Sequence, residues 1–194
     1  MPATDFTLLI EQASACTLCE ALLPHSTRPV FQLHPDAIIL IAGQAPGRKV
    51  HESGIPFDDA SGDRLRAWMG VTAEQFYDPK KVAILTMGFC YQGTGKNGDL
   101  PPRVECEPAW RQAMLAHLNK LETTLVIGQY AQAYDFKSKQ SVTELVKSWQ
   151  HYWPTHIPLP HPSPRNNIWL KKNPWFEAEV LPILKQYIAN ILAP

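Results

Sequence analysis

Ala37-Ile-Ile-Leu-Ile-Ala42, followed at once by Gly43-Gln-Ala-Pro-Gly47, decides how the chain is read. A short continuous apolar run, rich in β-branched residues and closed by glycine, is a strand covered on both faces, as in a parallel sheet. Two further runs repeat the pattern: Val82-Ala-Ile-Leu-Thr86, and Thr123-Thr-Leu-Val-Ile127 with Gly128 at its end. A fourth strand is expected near Ile157-Pro-Leu159. Helical patterns fall at 4–15, with Thr4 or Asp5 as the cap, and at about 62–69, 108–121, 129–134, 141–149 and 174–191. Strands alternating with helices make an α/β domain around a parallel sheet. Ligands bind such sheets outside the carboxyl ends of the strands. Residues 43–61, 88–103 and 160–172 follow three of those ends and read as turn or loop.

Composition narrows the function classes. With 194 residues the chain is expected to fold as one domain spanning 1–194. Apolar residues at 45% and aromatics at 10% are globular values and argue against disorder. Lys and Arg total 18, as do Asp and Glu, so the net charge is zero. A nucleic-acid role therefore cannot be argued from overall charge, although a local basic patch stays open. No run approaches the roughly 20 apolar residues of a spanning helix. The start of the chain lacks a basic segment followed by a long apolar run. A soluble, cytoplasmic, monomeric protein with no membrane partner is expected. Proline, at 18 residues, is nearly double the usual share of about 5% and points to long stiff loops.

Four segments carry candidate chemistry. Gly43-Gln-Ala-Pro-Gly47 begins directly after a strand, where glycine lets backbone N–H groups approach a ligand closely. An ordinary Pro-Gly turn accounts for it equally well. His161-Pro-Ser-Pro164 holds an imidazole between prolines at a strand's carboxyl end. Cys16 and Cys19 form C-x₂-C, and Cys90 and Cys106 lie further on with 15 residues between them. In a reducing compartment such a set suggests a metal site before disulfides. Zinc and an iron–sulfur cluster both accept four thiolates, and four unrelated buried thiols are the plain alternative. Finally, Arg165-Asn-Asn-Ile-Trp-Leu-Lys-Lys172 mixes cationic, amide and bulky apolar side chains. That mix suits phosphate contacts and a wedge between bases, or simply an exposed turn.

Together, Gly43-Gln-Ala-Pro-Gly47 and His161-Pro-Ser-Pro164 resemble the two signature motifs of the uracil-DNA glycosylase superfamily. The resemblance is strongest to its iron–sulfur (family 4) branch. That branch opens with C-x₂-C, as at Cys16 and Cys19, and its first motif is followed by G-x-P-F and a further glycine. Gly54-Ile-Pro-Phe57 and Gly62 occupy those places. Its other two ligands match Cys90 and Cys106, with a proline-rich stretch between them like Asp99-Leu-Pro-Pro-Arg103. The similarity runs from Cys16 to the final helix.

The resemblance implies a three-layer α/β/α fold with a four-stranded parallel sheet. It implies a monofunctional DNA glycosylase of base-excision repair acting on DNA that carries a damaged base. The nucleotide would be flipped into a pocket at the strand ends. Phe57 would stack on the base, with Gly43 and Ala45 in the substrate-binding turn and backbone amides near Gln44 and Ala45 binding the base carbonyl. His161 would hydrogen-bond the leaving anion. The segment from Pro164 to Lys172, with Ser163, Pro164, Arg165, Asn166 and Lys171 as contacts, would enter the minor groove. Cys16, Cys19, Cys90 and Cys106 would bind a [4Fe–4S] cluster, with zinc as the alternative metal.

Two positions depart from the family. It carries Glu where this chain has Gln44, and an amide cannot take a proton. Gln44 is then left to orient a water, and Asp58 or Asp59, just past Phe57, become substitute acids, with helix capping as the plain alternative. His51 and Glu52 are weaker candidates. The family also has an Asn at the place of Thr86, and a hydroxyl makes fewer directed bonds than an amide. Uracil is the expected base, with hypoxanthine and xanthine next. The insertion that traps uracil DNA covalently in one branch is missing between Cys90 and Cys106, so covalent capture is not expected. A non-catalytic nucleic-acid-binding protein of the same fold and a small nucleoside or nucleotide hydrolase are the competing functions.

Overall fold

The computed structural model describes residues 5–96 and 98–193. In chain order the strands are β1 (Ile39–Ala42), β2 (Val82–Ile84), β3 (Thr94–Gly95), β4 (Gly98–Asp99), β5 (Thr123–Ile127) and β6 (His156–Leu159). The α-helices are α1 (Phe6–Ser14), α2 (Arg48–Ser53), α3 (Ala60–Met69), α4 (Ala73–Tyr77), α5 (Gln112–Leu115), α6 (Gly128–Phe136), α7 (Val142–Lys147), α8 (Asn167–Lys172) and α9 (Leu181–Ile191). Four strands form one parallel sheet in the order β2-β1-β5-β6. Ile39 pairs with Val82 on one side and Thr123 on the other, and Leu125 with Ile157. The remaining pair, β3 and β4, is a small antiparallel hairpin.

The two-residue period of a strand sends alternate side chains to opposite faces. Ile39, Ile41, Val82, Ile84, Leu125 and Ile157 enter one core cluster with Leu65 and Trp68 of α3 and Leu184 of α9. On the other face Leu40 and Ala83 pack against Leu9 of α1 and Met114 of α5, while Ala42 and Val126 meet Ala131 of α6. Each buried Ile or Leu contributes about 1.5–3 kcal/mol by leaving water. Helices on both faces of a four-stranded parallel sheet give the expected three-layer α/β/α arrangement.

The strands lie where the apolar runs place them, and α1 is capped by Asp5, whose carboxylate accepts the Thr7 N–H at 3.0 Å. Thr4, the other expected cap, lies outside the described residues. Several expectations are corrected. Residues 88–103 are not all loop, because β3 and β4 pair there, and the helix expected over 174–191 is a π turn (Phe176–Val180) followed by α9. Residues 43–61 are not all turn, because α2 forms there: the Arg28 guanidinium donates to the carbonyls of His51, Glu52 and Ser53 and satisfies the helix's open end. The helix expected over 108–121 is a π turn (Glu107–Arg111) followed by α5, which ends at Leu115. Tight backbone bonds from His117 to Met114 and from Leu118 to Leu115 close it early. Residues 164–172 are not a loop either: a 3₁₀ turn (Pro164–Asn166) leads into α8. Ser163 caps that turn, and the Trp169 indole N–H donates to Thr143 Oγ1 at 2.8 Å, tying α8 to α7.

Candidate active site

A cavity of about 520 Å³ opens at the carboxyl ends of the strands, a size that holds a small ligand. The turn after β1, the segment leading into α3, the end of β2, the β3–β4 hairpin and the loop after β6 all contribute to its walls. The β1 and β2 turns are stitched together, since Met87 N–H donates to the Gly43 carbonyl at 2.8 Å and Gly88 N–H to that of Gln44 at 2.9 Å. Gly43 keeps a slot open. A Cβ there would stand 3.3 Å from the Thr86 methyl and 3.8 Å from the Phe57 ring.

Phe57 takes a left-handed backbone conformation, with φ of 55°. For a bulky residue this costs about 1–3 kcal/mol and persists only where the surroundings enforce it. Gly62 is part of that enforcement: a Cβ on it would fall 1.7 Å from the Phe57 carbonyl oxygen, so α3 approaches Phe57 only because residue 62 is glycine. The ring of Phe57 meets Phe76 edge-on and lines the cavity.

His161 is surrounded by protein yet still faces the cavity. Its Nδ1 accepts the Ser163 N–H at 3.1 Å, which leaves the ring proton on Nε2. Burial holds its pKa below the ordinary imidazole value, and the partial offset comes from Asp59 and Asp99. A neutral imidazole with an Nε2–H donor is therefore the form present at neutral pH. The loop is clamped by Arg64 of α3, which donates to the Ser163 carbonyl at 3.2 Å and to Asn167 Oδ1 at 2.8 Å.

The site residues expected from sequence do not all converge. Gln44, Ala45, Phe57, Thr86, His161, Ser163, Pro164 and Arg165 line the cavity. Asp58 is exposed and outside the cavity lining; its neighbour Asp59 lines it, with Oδ1 accepting the N–H groups of Ser61 and Gly62 as the N-cap of α3. Asn166 spends its amide N–H on the His161 carbonyl at 2.7 Å, so it holds the loop. Lys171 is exposed in the last turn of α8, away from the cavity lining. Thr86 turns its hydroxyl to the Gly88 carbonyl at 2.7 Å, and Gln44 donates its amide to the Leu100 carbonyl at 3.0 Å. His51 and Glu52 belong to α2, and neither lines the cavity. Sequence reasoning missed Asp99, Arg48 and Lys49, which also line it. With Arg165 the two cations make a local basic set on a neutral chain, suited to phosphate.

The four cysteines are unpaired and line a second, small apolar recess. Burial pushes the Cys90 thiol up to about 11 and raises Cys19 and Cys106 as well. Each sulfur faces an N–H donor. Trp110 Nε1–H donates to Cys16 Sγ at 3.2 Å, the Arg103 guanidinium faces Cys19, and the backbone N–H groups of Arg28 and Phe89 face Cys90 and Cys106. Donors of this kind favour thiolate, so the recess fits a group held through four sulfurs. Among the described residues no three His, Cys, Asp or Glu close around a single ion. No helix described is long and apolar enough to cross a membrane.

A family model described as the Uracil DNA glycosylase superfamily matches residues 31–185, which include every cavity-lining residue except Val30 but not Cys16 or Cys19. Motif, sheet order and cavity agree with that match, and the chain belongs to the uracil DNA glycosylase superfamily.

Proposed function

We propose that this chain is a monofunctional DNA glycosylase that flips a deaminated base out of DNA and hydrolyses its N-glycosidic bond. Uracil is the first candidate, with hypoxanthine and xanthine next. The observation that carries this reading is the convergence of Phe57, the Gln44-Ala45 turn and His161 on one cavity at the strand ends. A flipped base entering the slot beside Gly43 stacks on Phe57. The leaving base becomes an anion as the glycosidic bond breaks, and His161 Nε2–H donates to it. One donor placed where charge develops supplies roughly 3 kcal/mol. Arg48, Lys49 and Arg165 take phosphates around the cavity mouth.

The chain's four thiols are proposed to hold a [4Fe–4S] cluster, supported by the shared recess and by an N–H donor facing every sulfur. When bound, the cluster supplies a structural cross-link. Anaerobically purified protein is expected to be brown with broad visible absorbance that bleaches on reduction; a colourless protein holding one zinc overturns this choice.

A second reading, nucleic-acid binding without base release, is favoured by one observation. Gln44 and Thr86, the side chains at the two positions that depart from the family, both spend a donor on the backbone. The deciding experiment is single-turnover base release, enzyme in excess. Single- and double-stranded oligonucleotides would carry uracil, hypoxanthine, xanthine or a normal base, with His161→Ala alongside. Release of one modified base, lost about 100- to 1000-fold in His161→Ala, is expected. No release from any oligonucleotide that the protein nevertheless binds establishes the second reading.

A further inference from the structure

Hydrolysis of a glycosidic bond needs a group to take a proton from water, and Gln44 cannot do so. Three carboxylates stand near the cavity in sequence or space. Asp58 does not line the cavity. Asp59 Oδ1 is spent on two N–H groups at the start of α3. Asp99 lines the cavity and, unlike Asp59, caps no helix. It sits on β4 and places Oδ2 beside the β1 turn, 3.6 Å from where a Cβ on Gly47 would lie. Its Oδ1 accepts the Thr94 hydroxyl at 3.1 Å, and Thr94 Oγ1 is 2.7 Å from the Tyr91 hydroxyl. One oxygen is thus fixed by a hydroxyl chain along the hairpin, while Oδ2 has no hydrogen-bond partner among the described residues.

The hairpin itself is held from several sides. Leu100, next after Asp99, accepts the Gln44 amide. A Cβ on Gly98 would meet Arg165 Nη1 at 2.7 Å, so that guanidinium packs directly on the glycine. Gln44 thereby acquires a use: its side chain fixes the segment that presents Asp99. Asp59 and Asp99 both act electrostatically on His161, Asp59 first, and all three line the cavity.

The geometry points to Asp99 as the general base of the reaction, a catalytic residue that the hairpin supplies where the β1 turn lacks an acid. The inference rests on the glycosylase reading. Asp99 Oδ2 takes a proton from water as the water oxygen bonds to the anomeric carbon. The carbon–nitrogen bond breaks, and its electron pair leaves on the base, whose anion accepts the His161 Nε2–H. The proton on Asp99 passes to solvent, and the released base takes one back. Thr94 is the positioning residue that keeps Oδ2 turned to the cavity.

The test uses the full chain with its metal content intact, on single-stranded oligonucleotide carrying uracil and, in parallel, hypoxanthine or xanthine. Asp99→Asn is nearly isosteric and lies at an exposed position, so the thermal midpoint is expected to hold. Its single-turnover rate should fall by about 100-fold or more, while anisotropy of the same labelled oligonucleotide shows affinity within about twofold. Thr94→Val should slow the wild type but cost nothing further in the Asp99→Asn background, an outcome that a merely structural threonine does not give. If Asp99→Asn does not fold, Asp99→Ser takes its place under the same criteria. An unchanged rate in the Asp99 variant, or a large loss in Asp59→Asn with none in Asp99→Asn, overturns the assignment. A wild type that releases no base from any oligonucleotide overturns the glycosylase reading itself, which separates the two failures.

Discussion

At the residue scale the chemistry turns on what each polar atom is already bonded to. His161 keeps its Nε2–H because Ser163 N–H occupies Nδ1, and burial keeps the ring neutral. The same burial writes a pH signature into stability. The unfolded chain binds a proton on this residue near pH 6.5, and the folded chain binds it only at lower pH. Stability is then complete above about pH 6.5 and is lost as pH falls from there toward the depressed folded value, at up to about 1.4 kcal/mol per pH unit for one proton. His51 is shifted the same way, by burial first and then by His25 and Arg28, so the wild type carries two such protons. His161→Asn is expected to reduce the fall in urea midpoint between pH 6.5 and 5.5, leaving the part that His51 contributes. The carboxylates of Asp36, Glu105 and Glu144, lowered by hydrogen bonds to Lys120, Arg103 and Ser141, lose their contribution only below about pH 4. They stay below the histidine window, and Asp135, whose carboxyl burial pushes up, is the same in both proteins and drops out of the comparison. An identical slope in both proteins contradicts a buried neutral His161.

At the element scale, legibility followed locality. β5 was readable to the residue because Thr123–Ile127 is buried throughout and Gly128 ends it. α2 was not, because a six-residue helix is marginal alone and its end, capped by Gly54, is completed by Arg28, more than twenty residues upstream. α8 is only six residues of mixed polar and apolar character with no clear period, and an indole hydrogen bond ties it to α7. The β3–β4 hairpin has two-residue strands with no periodicity to read, which is why Asp99 was missed while Gln44, Phe57 and His161, fixed by short motifs, were found. Asp58 and Asp59, neighbours in sequence, cannot be told apart until the cap of α3 turns Asp59 inward. The contact most dependent on a single residue is Gly62 against Phe57. Gly62→Ala is expected to destabilise the fold by about 3 kcal/mol, read as a lowered urea midpoint with an unchanged slope. A loss under about 0.5 kcal/mol shows that the left-handed turn at Phe57 relaxes freely.

At the scale of the whole molecule, two recesses share one loop. Residues 90–106 begin and end at thiols of the cysteine recess, and their middle carries Asp99 and Leu100 to the cavity. The opposite wall of the recess comes from Cys16 and Cys19, which follow α1. α1 meets the body mainly through Leu9 and Ala13 against the Leu40–Met114 cluster. Arg28 spans both sites, its backbone N–H facing Cys90 and its side chain closing α2. The proposed metal, held through the four thiolates, would therefore tie α1, the 90–106 loop and, through Arg28, the helix bearing Arg48 and Lys49 into one unit. Removing the metal with a chelator under anaerobic conditions is expected to abolish amide hydrogen-exchange protection in α1 and in 90–106 and to weaken it in α2. The central strands β1 and β5, buried on both faces, should keep theirs. Cys16→Ser should reproduce the pattern more mildly. Uniform loss across the sheet would mean that the cysteines support the whole core, and unchanged exchange in 90–106 would mean that the hairpin stands without them. Only the local pattern fits the proposal that a structural metal holds the loop carrying Asp99 to the cavity.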